Sequence, residues 1–156
     1  MSSCIERRDY ANYPSNKLME RQMKEQGYQS KIIKGIEGIG GIVINGQYSK
    51  AGTADLICGW PKNLDVLVRD GEYSEIRPRE TLLHLHVEVK TEEDYHRVMR
   101  SVYTEEGLYK VRQVHKSLKK HEMLQIAKLN EVRTKGGYGL FAYSFEQVEE
   151  YMHAQE

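Results

Sequence analysis

The sequence predicts an α/β domain built on a central mixed sheet of about four strands with helices on both sides. Two observations lead to this prediction. Residues 82–90 alternate apolar and polar side chains, which is the period of a strand with two different faces. Residues 17–36 and 118–132 repeat apolar side chains at the spacing of an amphipathic helix. The expected order is a helix, three strands, further helices, a strand and a last helix.

The first element is a helix with a weak point near its middle. It is expected to begin at Lys17, after Ser15 or Asn16 as its cap. Gly27 costs about 1 kcal/mol relative to Ala in a helix interior. Two shorter helices in place of one are therefore an alternative.

Strand segments follow, and turn residues separate them. The Asn45-Gly46 pair predicts a turn after the first strand, and Asp70-Gly71 predicts the tight turn of a hairpin. The segments are a strand at 42–44, a strand at 54–58, a hairpin over 64–76 and the long strand at 82–90.

The second half is predicted to be mostly helical. Residues 94–117 form an insertion that we expect to be helical, and the glycine pair 136–137 ends the helix that follows it. Residues 138–143 then form a strand. Ser144 and Gln147 make a capping box that opens the final helix.

The composition suits one compact domain over residues 1–156, with insertions near 61–81 and 94–117. The chain has 23 basic and 23 acidic side chains, and 39% of its residues are hydrophobic. No apolar run approaches the roughly 18–20 residues of a membrane span, and the first residues lack a signal-peptide core. With only Cys4 and Cys58, a disulfide framework and a four-cysteine zinc site are both excluded. We therefore expect a cytoplasmic protein with no membrane partner.

Charge is unevenly distributed along the chain. Residues 51–96 contain 5 basic and 10 acidic side chains, whereas residues 97–135 contain 10 basic and 4 acidic ones. Carboxylates suit divalent cations, and Lys or Arg side chains suit phosphates. A metal-dependent enzyme acting on nucleic acid needs both. Solvated helix faces would give the same pattern.

Asp55, Glu88 and Lys90 are the residues at which chemistry is most clearly indicated. Asp55 lies in a short strand after a glycine, and Glu88 and Lys90 share one face of the strand at 82–90. If these strands pair, the two carboxylates could hold Mg²⁺ while the ammonium group orients an attacking water. Such a site suits phosphodiester hydrolysis, because the metal and the lysine both stabilise the negative charge that develops on the phosphorane.

An ordered set of motifs resembles the PD-(D/E)XK nuclease superfamily, and within it the VRR-NUC group, which includes stand-alone phage and bacterial proteins. The set runs through most of the chain: Glu20, Gly52 to Asp55, Glu88-Val89-Lys90, Gln125 and the glycine pair 136–137. The resemblance implies a restriction-endonuclease-like core and hydrolysis of DNA with Mg²⁺ or Mn²⁺. Endonucleolytic cutting is expected, with junctions or flaps as candidate substrates and RNA not excluded.

The resemblance also implies a role for each matched residue. Lys90 matches the catalytic lysine, and Gln125 matches a glutamine that the family places near the site. The implied metal ligands are Glu20, Asp55, Glu88 and the backbone carbonyl of Val89.

Two features depart from the family pattern. Ala54 stands where the family usually has a proline before the aspartate, which alters a backbone preference and removes no ligand. The separation between Asp55 and Glu88 is long. We attribute it to the hairpin at 64–76, which should decorate an edge without moving the two core strands.

A basic segment is the expected contact for nucleic acid. Its members are Lys110, Arg112, Lys116, Lys119 and Lys120. Such side chains contact phosphates with little regard for base sequence. A homodimer is left open, because symmetric cleavage of a junction would require two sites.

Other interpretations compete with this one. His84 and His86 invite a zinc site, with Cys58 or His115 as a further ligand, although no two ligand couples have zinc spacing. The glycines within 35–41 loosely resemble a phosphate-binding loop, but they follow a helix and lack the Gly-Lys-Ser/Thr ending. The chain could also be an inactive nucleic-acid-binding or inhibitory module on the nuclease fold, or a protein-interaction domain unrelated to nucleases.

Overall fold

The computed structural model describes residues 16–45, 56–113 and 117–155. The helices are α1 (Asn16–Gly38), α2 (Glu92–Ser101), α3 (Lys120–Thr134) and α4 (Phe145–His153). The strands are β1 (Ile42–Asn45), β2 (Leu56–Asp70), β3 (Tyr73–Val89), β4 (Val102–Glu105), β5 (Leu108–Val111) and β6 (Tyr138–Ala142).

The central sheet has four strands in the order β1-β2-β3-β6. β1, β2 and β3 pair antiparallel, and β6 joins β3 in parallel, with Leu85 opposite Tyr138 and Val89 opposite Ala142. The sheet is therefore mixed, and helices lie on both of its faces. The predicted fold class is confirmed.

Two apolar cores lie on opposite faces of this sheet. One lies between the sheet and the pair α1 and α4, where Ile32 and Val148 are fully buried. The other lies between the sheet, α2, α3 and the β4–β5 hairpin, around Ile126 and Phe141. β3 runs between the two cores, so side chains on both of its faces are covered at its carboxyl end.

α1 is one continuous helix of 23 residues, so the alternative of two shorter helices is wrong. Gly27 lies in open space within it. Ile32 and Ile36 are fully buried beneath the sheet, and this packing outweighs the modest cost of one glycine. Gly35 is required for close approach, because a Cβ there would lie 2.3 Å from Cγ of Phe145.

The predicted hairpin is present, but it is not a separate edge element. β2 and β3 pair without a break from Leu56 opposite Val87 to Asp70 opposite Tyr73, and Gly71 turns the chain with φ +61°. The long separation between Asp55 and Glu88 is thus an outward extension of the two core strands themselves. The expectation of an element decorating an edge is corrected.

The segment predicted as a helical insertion, 94–117, is helical only in its first part. α2 ends at Ser101, and the chain then forms the antiparallel pair β4 and β5. Glu106 and Gly107, both with positive φ, make the turn between them. β-branched and aromatic side chains flanking that turn favour strands over a helix.

The last elements follow the prediction closely. α3 is followed by Gly136, with φ +89°, and β6 then begins at Tyr138. Ser144 caps α4 by accepting a hydrogen bond from the Gln147 backbone N–H. The Gln147 side chain accepts from the Tyr143 N–H instead of the Ser144 N–H, so only half of the predicted capping box forms. Among the helices that the structure describes, none has the length and apolar character needed to cross a bilayer.

Candidate active site

Glu88 and Lys90 lie at the carboxyl end of β3, on the face that meets α3. Their side chains are buried, with 1% and 7% of their surface exposed. Leu85, Val87 and Val89 alternate with them and fill the opposite core, as the pleat of a strand requires. The Lys90 backbone N–H donates to the Ala142 carbonyl at 2.9 Å, which extends the pairing with β6 by one residue. Both site residues are therefore held by a fixed backbone.

Gln125 on α3 contacts Glu88 directly. Its Nε2 donates to Glu88 Oε1 at 2.7 Å, although the two residues are 37 positions apart in the chain. The Gln125 Oε1 atom is buried and has no hydrogen-bond partner among the residues described. A buried amide oxygen normally has a partner, so this atom is available to a ligand of the site.

Glu122 is a further site residue that the sequence analysis missed. It lies one turn before Gln125 on α3, and its side chain is only 1% exposed. Arg97 on α2 donates to both of its carboxylate oxygens at 2.7 Å. The Lys119 backbone N–H donates to Oε1 at 2.9 Å, and the Lys90 ammonium group lies 3.4 Å from Oε2. Glu122 thus joins Lys90 to α2 and to the start of α3.

Glu122 is strongly stabilised in its charged form. Burial alone would raise the pKa of its carboxyl group. The hydrogen bonds from Arg97 and Lys119 outweigh that effect, and the positive charges of Lys90 and Arg97 add to them. Together they lower the pKa from 4.5 to about 2. A permanent negative charge therefore faces Lys90 at neutral pH.

A cleft of about 770 Å³ lies between α1 and the start of α2, and its lining does not include Glu88, Lys90, Glu122 or Gln125. Thr91, which follows Lys90, lines it together with Glu92. Glu20 lines it from α1, where its side chain is exposed. The carboxyl ends of parallel strands in an open sheet are a common position for ligand sites. Asp55 lies outside the described residues, directly before Leu56 in the sequence.

The zinc interpretation is not supported by the described part of the chain. Cys58 lies in the core beneath α1, whereas His86 faces α3 from the other side of the sheet. Burial raises the pKa of the Cys58 thiol to about 12, so it is a poor source of the thiolate that binds zinc. The residues described contain no group of three or more His, Cys, Asp and Glu side chains that could hold a metal, and His115 lies outside them.

The glycines within 35–41 belong to the end of α1 and to the turn after it, where Gly40 has φ +91°, so the phosphate-loop interpretation is wrong. Gly35 and Gly38 belong to α1. At Gly41, a Cβ would lie 2.7 Å from the Ile36 side chain and 2.8 Å from the Gly59 carbonyl. Close contact between the end of α1 and the sheet explains the residue type.

The basic segment lies on the surface, at the β4–β5 hairpin and at the start of α3. Lys110 is exposed on β5, and Arg112 stands over the Tyr103 ring at 5.5 Å. Lys119 and Lys120 are exposed where α3 begins. Lys116 lies outside the described residues. Four of the five cations are therefore accessible to a polyanion.

No family model, curated protein or solved structure matches this chain. The resemblance to the VRR-NUC nucleases stays a prediction from its motifs.

Proposed function

We propose that this protein is a divalent-metal-dependent nuclease that hydrolyses phosphodiester bonds of DNA. The supporting observation is the contact between Gln125 and Glu88, with Lys90 two residues further along the same strand face. These are three of the residues to which the resemblance assigns roles. Gln125 is 37 positions from Glu88 in the sequence, yet the two side chains are in contact at one end of the sheet.

The donor set fits a hard divalent cation. Carboxylate and amide oxygens are the ligands that Mg²⁺ and Mn²⁺ prefer, and the buried Gln125 Oε1 lies beside the Glu88 carboxylate group. The proposed ligands are Glu20, Asp55, Glu88 and the Val89 carbonyl. Asp55 adjoins Leu56, whose partner Val87 precedes Glu88. When bound, the metal would supply positive charge at the phosphate and lower the pKa of a coordinated water.

The chain's own residues supply orientation and charge. Lys90 is proposed to hold the attacking water and to stabilise negative charge on the phosphate oxygens as it develops. Glu122 forms an ion pair with the Lys90 ammonium group, which holds it in position and supplies its counter-charge. Gln125 sets the rotamer of Glu88 through its amide N–H. Such hydrogen-bonded support keeps catalytic groups in productive geometry.

Cleavage of a panel of linear and branched DNAs, with Mg²⁺, Mn²⁺ or EDTA, tests this proposal. We expect EDTA to abolish cleavage and Glu88→Gln to lower the rate about 100-fold or more, because Gln keeps the side-chain shape and removes the charge. Glu37→Gln, exposed on α1 and outside the cleft, is the matched control. Cleavage by Glu88→Gln at the wild-type rate would remove Glu88 from the site.

Metal binding can be tested separately from cleavage. Calorimetric titration with Mn²⁺ should give weaker binding for Asp55→Ala than for the wild type, because a carboxylate ligand is lost. Equal binding by both proteins would exclude Asp55 as a ligand.

The oligomeric state can be measured on the same protein samples. Light scattering reports whether the chain is a homodimer, as symmetric cutting of a junction would require.

A second candidate function is an inactive nucleic-acid-binding module on the same fold. The observation that favours it is that Glu122 and Gln125 already engage Lys90 and Glu88. These protein contacts hold the two side chains in place without any ligand. A wild-type protein that binds DNA but cuts none of the panel with any divalent metal would support this candidate.

A further inference from the structure

A second pocket lies along the seam between β3 and α3, apart from the Glu88 group. It has a volume of about 350 Å³ and is lined by His84, His86, Lys128, Glu131, Val132, Lys135 and the glycine pair 136–137. His84 and His86 share the strand face of Glu88, because they precede it by four and two residues. Lys128 follows Gln125 by one helical turn. The pocket therefore lies on the same β3–α3 seam as Glu88 and Gln125, one helical turn further along α3.

The imidazole of His86 has unused hydrogen-bonding capacity. The residue is only 8% exposed, and its Nδ1 atom is buried without a hydrogen-bond partner among the described residues. His84 lies beside it, with ring centroids 5.7 Å apart. Buried polar atoms are rarely left unpaired in a folded protein. A ligand that accepts and donates hydrogen bonds would complete this group.

The charges around the pocket favour an anion. Lys128 and Lys135 lie 3.6 Å and 2.9 Å from the carboxylate oxygens of Glu131, which sits between them. Two ammonium groups thus share one carboxylate, which leaves a net positive charge at this pocket.

The backbone at the glycine pair is already satisfied. The Gly137 N–H donates to the Val132 carbonyl at 2.9 Å, and the Gly136 N–H donates to the Arg133 carbonyl at 3.3 Å. The donors open to a ligand are consequently side chains: two ammonium groups and two imidazoles. Several cationic donors around one small volume match a group with three or more oxygens and more than one negative charge.

We infer that this pocket binds a phosphate group through the ammonium groups of Lys128 and Lys135 and the imidazole of His86. The phosphate would compete with the Glu131 carboxylate for the two ammonium groups. This inference does not depend on nuclease activity. If the chain is a nuclease, the pocket would hold a neighbouring phosphate of the strand cut at Glu88.

Histidine NMR on the full chain tests the inference without any cleavage. Inorganic phosphate is titrated in EDTA, with chloride added to keep the ionic strength constant. We expect saturable shifts of the His84 and His86 ring signals as phosphate is added. Shifts that are absent, or that chloride alone reproduces, would overturn the inference.

Variants with opposite expected effects sharpen the test. Lys128→Ala should weaken phosphate binding about threefold, because one charged donor is lost. Glu131→Gln should tighten it about threefold, because both ammonium groups are released from their own carboxylate. Both side chains are more than one-third exposed, so the variants are expected to fold. Lys34→Ala on α1 is the control, and equal phosphate affinity in all four proteins would contradict the proposal.

The source of the phosphate is resolved by competition. A short single-stranded oligonucleotide, with and without a 5′-phosphate, is added to the phosphate-bound protein in EDTA. Displacement by both oligonucleotides assigns the pocket to internal phosphodiesters. Displacement by the 5′-phosphorylated form alone assigns it to a terminal monoester. Phosphate binding that survives while DNA cleavage is absent would reject the nuclease proposal and leave this inference standing.

Discussion

The two faces of β3 are equally buried at its carboxyl end but are stabilised in different ways. Leu85, Val87 and Val89 pack against α1 and α4 with no polar atom to satisfy. On the other face, Glu88 and Lys90 lie among charged and amide groups from α2 and α3. The apolar face depends on volume, whereas the polar face depends on the position and charge of each partner. Burial alone therefore does not distinguish a core from a candidate site.

The largest expected effect comes from removing the charge that organises the polar face. Glu122→Gln should lower the free energy of unfolding by about 3–5 kcal/mol, because the buried ammonium group of Lys90 loses its counter-charge and the half-buried Arg97 keeps only Asp94. Urea unfolding at neutral pH measures it. Glu37→Gln, exposed on α1, should change stability by less than about 0.5 kcal/mol. A similarly small change for Glu122→Gln would show that the network adds nothing to stability.

The stability effect of Glu122→Gln is expected to depend on pH. The folded pKa of Glu122 is about 2 and lies below its ordinary value of 4.5. Its contribution is thus fully present above about pH 4.5 and is lost as the pH falls toward 2. The stability difference between wild type and Glu122→Gln should shrink over this window. Leu85→Ala on the apolar face should cost about 2–5 kcal/mol, without that pH dependence.

The next largest effect is on catalysis, and it rests on the proposed nuclease activity. Lys90→Met should lower the turnover rate about 100-fold or more while DNA affinity changes little, because the lost interaction is made in the transition state. The sequence leads to the expectation that truncating Lys90 leaves no cavity. That expectation is wrong, since the side chain is buried against Glu122. Met is therefore the better test, because it keeps most of the volume.

Kinetic constants of wild type, Lys90→Met and Lys34→Met separate the alternatives. Lys34 is exposed on α1, and its variant should retain full activity. Cleavage by Lys90→Met at the wild-type rate would exclude the proposed mechanism. An increase in KM with unchanged kcat would instead assign Lys90 to substrate binding.

A smaller expected effect is the pH dependence of stability that His86 gives to the polar face of β3. Burial, then His84 and Lys128, lower the pKa of His86 below its ordinary 6.5. The unfolded chain then binds a proton first, so stability should fall as the pH drops from about 6.5 through the lowered pKa. His86→Asn should lose less stability than wild type between pH 7.5 and 5. Val87→Ala should stay parallel to wild type, and identical slopes for all three proteins would contradict the assignment.

Local sequence patterns predicted the secondary structure and the strand faces, because these depend on residues close together in the chain. The alternation over 82–90 correctly placed Glu88 and Lys90 on one face, because the period of a strand is a property of the backbone. The β4–β5 turn also has a local signal, which is Gly107 between β-branched and aromatic residues. The helical prediction for 94–117 gives this signal too little weight. Burial on both faces of β3 could not be deduced, since it depends on where α3 packs.

The contacts of the candidate site required the tertiary structure. Gln125 was linked to Glu88 by the resemblance alone, because nothing local joins residues 37 positions apart. Glu122 was missed for a physical reason. A charged residue in a helix usually faces solvent, and its burial here depends on Arg97 from α2 and on the buried end of β3. Such long-range charge pairing has no sequence period.

The smallest expected effect concerns the surface at the start of α3, beyond the polar face. Lys119→Ala with Lys120→Ala should weaken DNA binding about equally for all sequences and make the salt dependence shallower by roughly 0.9 per lost phosphate contact. The fold should be unaffected, because Lys119 holds Glu122 through its backbone N–H and not its side chain. Removing cations from a helix N-terminus should even add a few tenths of a kcal/mol to stability. Binding isotherms at several salt concentrations, with Lys34→Ala as the control, measure the slope. An unchanged slope would show that these two lysines do not contact phosphates and belong to a solvated helix end.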